Sequence, residues 1–91
     1  KNMSILYLYM TVGCHLCDEA KGVLSRRAIT SLMSAHNLAL ICKDISEEAV
    51  LFESYGLTIP VIRIASCDAD LRWPFDENDV LAYLQNGVKR P

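Results

Sequence analysis

A surplus of positive charge is the first thing this sequence lacks. Formal net charge is −2, from 9 Lys and Arg against 11 Asp and Glu, which excludes the concentrated basic face of a nucleic-acid platform. The densest basic spots are the pairs Arg26-Arg27 and Lys89-Arg90, and two adjacent charges are ordinary solvated surface. Long apolar runs are missing too: none approaches the roughly 18–20 residues of a membrane span. Residues 4–13 are apolar, but the stretch is short and no small-residue cleavage site follows it, which argues against a signal peptide. No internal repeat, low-complexity tract or linker interrupts the chain. The four cysteines, at 14, 17, 42 and 67, do not form two close pairs, the usual form of a four-ligand zinc site. Without a secretion signal, a disulfide framework gives way to a reducing, cytoplasmic setting. There a close Cys pair is catalytic or metal-binding.

What is present is ordinary globular material, 52% apolar and 22% charged over 91 residues. That length predicts one domain, 1–91, with one core and the active site at its edge. Ser4–Met10 is β-branched, aromatic and almost continuously apolar, the pattern of a strand covered on both faces. Gly13 permits a sharp turn after it. From Cys14 the apolar positions Leu16, Ala20, Val23, Leu24, Ala28, Leu32 and Met33 fall near helical spacing, predicting a helix over about 15–35 with a bend near 25–30. His36-Asn37 ends it.

A second strand is expected over Leu38–Ile45, and a short helix over Glu47–Tyr55 capped by Ser46. Gly56 stops that helix. Thr58-Ile59-Pro60 leads into a third strand, Val61–Ala65. A polar turn follows at 66–70, then Leu71-Arg72-Trp73 closes a hairpin and Pro74 blocks its continuation. Asp76 caps a last helix over about 77–86. The order β-α-β-α-β-β-α, with a crossover between the first two strands and a hairpin between the last two, gives an α/β fold: a four-stranded mixed sheet flanked by helices.

Cys14-His15-Leu16-Cys17 stands where the buried strand turns into the first helix. At that spacing both sulfurs share a helix face and can close a small disulfide ring. Unpaired backbone N–H groups at a helix start favour a thiolate, so Cys14 is assigned as the attacking thiol and Cys17 as the resolving thiol. His15, when protonated, and Lys21, four residues after Cys17, tune the pair towards thiolate, while Asp18 opposes it. The balance suits a reductant or exchange catalyst better than a strong oxidant. Inert packing and half of a metal or Fe–S site are the competing readings of the pair. Cys42, mid-strand, reads as a small core residue, and Cys67, in a polar turn, as an exposed thiol. His36 reads as a solvated helix end, Tyr7 and Tyr9 as sheet-face residues, and Trp73-Pro74-Phe75 as packing for the last helix.

Taken together, Thr-Val-Gly-Cys-His-Leu-Cys-Asp-Glu-Ala-Lys after a strand, Thr-Ile-Pro-Val before the third strand, and Trp-Pro-Phe-Asp-Glu before the last helix resemble the glutaredoxin-like branch of the thioredoxin superfamily. The likeness spans essentially the whole chain and implies a thioredoxin-like fold. It implies that Cys14 and Cys17 are the redox pair. Pro60 then corresponds to the family's cis-proline, and Ile59, with Thr58 beside it, to the backbone edge offered to an extended substrate.

The chain also departs from the pattern of typical glutaredoxins. It has no Gly-Gly turn before the last helix, no Lys shortly before the first Cys, and no Cys-Pro-Tyr-Cys. In that family the Gly-Gly turn and the helix start after it grip glutathione, so the chain argues against glutathione as its dedicated co-substrate. No cofactor is expected, and the cysteine spacing gives no metal site. The resulting expectation is a monomeric thiol–disulfide oxidoreductase. Its partners would be a disulfide-containing protein or low-molecular-weight thiol and a separate reducing system, with neither nucleic acid nor membrane involved. A non-catalytic binding module using the groove near Pro60, or a metal carrier, are the alternatives from other functional classes.

Overall fold

The first strand, β1 (Ser4–Met10), is apolar on both sides because each side faces its own core. In the computed structural model, which describes residues 4–88, Leu6 and Leu8 point into the larger cluster, with Ala20, Leu24, Ile29, Met33, Ile62, Ile64, Val80 and Leu84. Tyr9 lies on the opposite side with Ile45 and Val61, flanked by Tyr7, Leu51, Tyr55 and Ile59. A strand covered this way loses the polar–apolar alternation of a half-exposed one.

Gly13 takes φ 81°, a left-handed conformation that glycine adopts without steric cost. The turn it makes lets the chain reverse into α1 (His15–Leu24). The expected bend near 25–30 is a complete break, and α2 (Arg27–Ala35) is a separate helix. Ser25 Oγ donates to the Gly22 carbonyl at 2.8 Å, and Arg26 is extended at φ −67°, ψ 146°. A side chain that bonds the preceding turn competes with helix continuation, and the break swings Ile29 and Met33 into the core. Asn37, at φ 55°, is the left-handed residue past the helix end.

β2 (Leu38–Asp44) runs parallel to β1, with Ser4 opposite Leu38 and Met10 opposite Asp44. Ser46 does not cap the helix after β2, which starts only at Ala49 with Glu48 at its N-cap and no side-chain cap bond; Asp44 instead caps a short turn before it. Ser46 donates to Asp44 Oδ1 from both its backbone N–H, at 3.0 Å, and its hydroxyl, at 2.7 Å, tightening the turn Ile45–Glu47. Those two bonds hold the Asp44 carboxyl below its ordinary range. The turn is therefore tightened at neutral pH, and that contribution is lost as acidification passes through the lowered value.

α3 (Ala49–Tyr55) leads to β3 (Val61–Ile64), β4 (Leu71–Arg72) and α4 (Glu77–Val88). Strand order is β2-β1-β3-β4, and the β1–β3 and β3–β4 pairs are antiparallel. This is the expected mixed four-stranded sheet flanked by helices. Asp76 and Asp79 cap α4 reciprocally, Asp79 N–H donating to Asp76 Oδ1 at 2.8 Å and Asp76 N–H to Asp79 Oδ2 at 3.0 Å. An Asp76→Ala substitution is expected to cost about 1 kcal/mol in urea unfolding.

Two cysteines sit opposite to expectation. Cys42 is exposed rather than in the core. β2 is an edge strand, and α2 covers its start, where Leu38 is buried, but not its middle, where Leu40 and Ile41 are also exposed. Cys67 is buried rather than exposed. The last turn of α4 closes over its loop and places its sulfur 3.9 Å from the Gly87 carbonyl. Composition marked that loop as polar, but the helix that lands on it comes from twenty residues further along.

Candidate active site

The sheet register brings the motif and the proline loop to one end of the molecule. Tyr9 lies opposite Val61, so Pro60, one residue earlier, falls beside Met10 where β1 runs into the Cys14 turn. Val61 in turn pairs with Arg72, and the Trp73 N–H donates to the Pro60 carbonyl at 3.1 Å. The β1–α1 turn, the approach to β3 and the exit from β4 therefore meet at the same edge. The Ile59–Pro60 peptide bond there is cis, as is Trp73–Pro74.

Cys14 is the N-cap of α1, extended at φ −82°, ψ 112°, and its sulfur accepts the Cys17 backbone N–H at 3.1 Å. The two cysteines are disulfide-bonded, with Cα atoms 5.1 Å apart. Their exposures differ: Cys17 is fully buried, whereas Cys14 is only partly covered. A disulfide partner arriving from solvent can reach the Cys14 sulfur and not that of Cys17. The N-cap position also aims the free N–H groups of the first turn at the more accessible sulfur, where negative charge is favoured.

Other residues expected at the site are placed less directly. His15 Nε2 lies 3.0 Å from Glu19 Oε2, one turn along the exposed face of α1. Lys21 lines an apolar groove with Leu24, Met33, Leu38 and Leu40. That groove lies towards the start of β2, at the end of the sheet away from Cys14. On the proline loop, the Thr58 and Ile59 N–H groups donate to the Tyr55 carbonyl at 2.9 and 3.1 Å, and Thr58 Oγ1 adds a third bond at 3.2 Å. The Ile59 N–H is thus already used within the chain. Among the described residues no three His, Cys, Asp or Glu side chains gather as metal ligands.

Sequence reasoning missed the group that holds the proline loop in place. The Tyr55 ring stacks on Tyr9 at 4.6 Å, and the Arg72 guanidinium lies 5.6 Å from its centre on the ring face. Burial, with the Asp70 carboxylate nearby, pushes the Tyr55 phenol above its ordinary range. Arg63 completes the cluster. It donates to the Tyr9 hydroxyl at 3.0 and 3.2 Å and to the Cys67 and Ala65 carbonyls at 2.8 and 3.2 Å, and its guanidinium lies over the Tyr7 ring. The one available signal was an Arg inside an otherwise apolar strand, Val61-Ile62-Arg63-Ile64.

A mixed β2-β1-β3-β4 sheet carrying a CxxC pair at the first helix start, beside a proline that opens the third strand, defines a thioredoxin-like domain. More narrowly, the family model described as Glutaredoxin-like domain (DUF836) matches residues 5–85, and the chain belongs to that family. The crystal structure of target protein XcR50 from X. campestris is 34% identical, with TM-score 0.70 over 89% of this chain and 96% of that one. Its solution structure superposes with TM-score 0.67, over 89% and 92%. The solution structure of Ne2328 from Nitrosomonas europaea, 23% identical with TM-score 0.65 over 91% and 93%, shares the fold. No curated protein matches the chain.

Proposed function

We propose that this protein is a thiol–disulfide oxidoreductase whose working pair is Cys14 and Cys17. The observation that carries the reading is the asymmetry of the pair. The accessible sulfur sits at the helix N-cap and accepts a backbone N–H, while its partner is fully buried. In the reduced protein the Cys14 thiolate attacks one sulfur of a substrate disulfide. A Cys14–substrate bond forms, the substrate S–S bond breaks, and the departing thiolate takes a proton. Cys17, deprotonated, then attacks the Cys14 sulfur, releases the substrate as its second thiol, and leaves the Cys14–Cys17 disulfide. Two electrons pass to the substrate, and a separate thiol reductant restores the dithiol.

In this reading Pro60 and the Thr58–Ile59 backbone form the surface against which the substrate lies. With the Ile59 N–H engaged by Tyr55, the Ile59 carbonyl is the group that meets a substrate N–H. His15 and Lys21 act on the pair through charge rather than contact. The protein works as a monomer in a reducing, cytoplasmic setting and needs no cofactor; among the described residues no helix is long and apolar enough to cross a membrane.

The test is single-turnover exchange. Reduced protein, freed of reductant, is mixed with a neutral small disulfide such as 2-hydroxyethyl disulfide and mapped after acid quench. Loss of two thiols per substrate reduced, with Cys14 and Cys17 joined, is expected; the absence of that bond would overturn the assignment. The reduction potential is a second check. One N–H donor at Cys14, opposed by Asp18 in the same turn, points to a value within about −200 to −270 mV. Equilibration against thiol–disulfide buffers measures it, and a value near about −120 mV, that of a strong oxidant, would reverse the direction of the reaction.

A further inference from the structure

Exposed apolar side chains flank Cys14 in the chain, beside the exposed His15–Glu19 pair. Val12, two residues before Cys14, is 84% exposed, and Leu16, two residues after it, is 43% exposed. Leu57, on the approach to Pro60, is fully exposed. Next to it a hollow of about 450 Å³ is lined by Phe52, Glu53, Ser54, Gly56, Leu57 and Thr58, with Phe52 itself exposed. Single exposed apolar residues are ordinary. Val12 and Leu16 flank Cys14 in the chain, and Leu57 lies three residues before Pro60, which the register sets beside Met10; exposed apolar residues beside a functional group mark a contact surface.

The charges complete the picture. Residues 4–20 contain no Lys or Arg, and the charged residues following the pair are Asp18 and Glu19, then Lys21, which lines the groove towards the start of β2. Residues 56–62 are uncharged. The described cations at this end of the sheet are already paired: Lys43 with Glu48 at 3.2 Å, and Arg72 with Asp70 at 3.3 Å. Glutathione presents two carboxylates and one ammonium, and the charged groups nearest Cys14 in the chain are the carboxylates of Asp18 and Glu19, with Lys21 on the groove at the far end of the sheet. An extended polypeptide has backbone groups for the Ile59 edge and apolar side chains for Val12, Leu16 and the Leu57–Phe52 hollow.

Resting on the exchange reading above, we propose that the substrate class of this site is a polypeptide disulfide flanked by apolar residues, and not the disulfides of glutathione. The chemistry is the exchange already written, with the polypeptide disulfide accepting two electrons from the Cys14/Cys17 dithiol. The test uses pre-reduced protein in single turnover against four oxidised substrates. These are 2-hydroxyethyl disulfide, oxidised glutathione, a synthetic peptide disulfide flanked by Leu and Val, and the same peptide flanked by Asp.

The apolar peptide is expected to react roughly tenfold or more faster than either oxidised glutathione or the Asp-flanked peptide, the scale of burying one large apolar side chain. Leu57→Asp is expected to lower the ratio of apolar-peptide rate to hydroxyethyl-disulfide rate several-fold. Because that side chain is fully solvated, the variant keeps the fold. Oxidised glutathione reacting as fast as the apolar peptide, or an unchanged ratio in Leu57→Asp, overturns the substrate assignment and leaves the exchange reading standing. No reaction with any of the four, the neutral disulfide included, overturns the exchange reading itself and this inference with it.

Discussion

Replacing Cys14 by Ser is expected to reduce exchange with any disulfide by roughly a thousandfold or more, to the uncatalysed background. Serine keeps the cap, since its oxygen accepts the same backbone N–H that the Cys14 sulfur accepts at 3.1 Å, so the fold should survive while the nucleophile is gone. Cys17→Ser should behave differently. Cys14 still attacks, but nothing buried behind it completes the cycle, and the protein accumulates as a mixed disulfide with its substrate. Intact mass after reaction with a peptide disulfide distinguishes the two: no adduct with Cys14→Ser, one adduct with Cys17→Ser. The opposite pattern would assign attack to the buried sulfur. Equal adduct formation by both variants would mean that the pair has no fixed division of labour.

The second large effect is expected at Arg63, which carries no chemistry. Its guanidinium bridges β1, through the Tyr9 hydroxyl, and the turn after β3, through the Ala65 and Cys67 carbonyls. Met in its place keeps the stem but removes all of those donors and leaves partly buried acceptors unpaired. The expected loss is about 2–3 kcal/mol, from charge-assisted hydrogen bonds discounted for the half-exposed setting. Urea unfolding should show it as a midpoint about 1–2 M lower at an unchanged slope. An unchanged midpoint would mean that water replaces the guanidinium at no net cost. Because Tyr9 stacks on Tyr55, and Tyr55 holds the Ile59–Pro60 loop through its carbonyl, Arg63→Met should also weaken peptide substrates more than small ones.

Element type and order could be read because each element answers to nearby residues. β1 is apolar on both sides, Gly13 permits the turn, Asn37 and Gly56 end helices, and Asp76 starts one. The CxxC pair could be placed for the same reason: three residues at a helix start bring two sulfurs together whatever the rest of the chain does. Boundaries that depend on side-chain hydrogen bonds were less legible. Ser25 bonds back to Gly22 where the first helix breaks, and Ser46 bonds to Asp44 in a short turn that delays the next helix to Ala49, because side chains that bond the nearby backbone compete with helix continuation.

Long-range packing decided the rest. Cys42 and Cys67 exchanged their expected environments. An edge strand left uncovered exposes even its mid-strand residues, and a helix end arriving from twenty residues away buries a polar turn. Tyr9 is far in the chain from Tyr55 and Arg63, and nothing local announces that the three meet. The sequence alone determined the thioredoxin-like order of elements and the position of the Cys14/Cys17 pair, since both follow from local periodicity and helix-start geometry. Only the tertiary structure decided which of the two sulfurs faces solvent and which side chains fasten the Pro60 loop. It also decided which apolar side chains near the pair stand exposed and which charges are paired, because exposure and charge pairing are properties of residues brought together across the sheet.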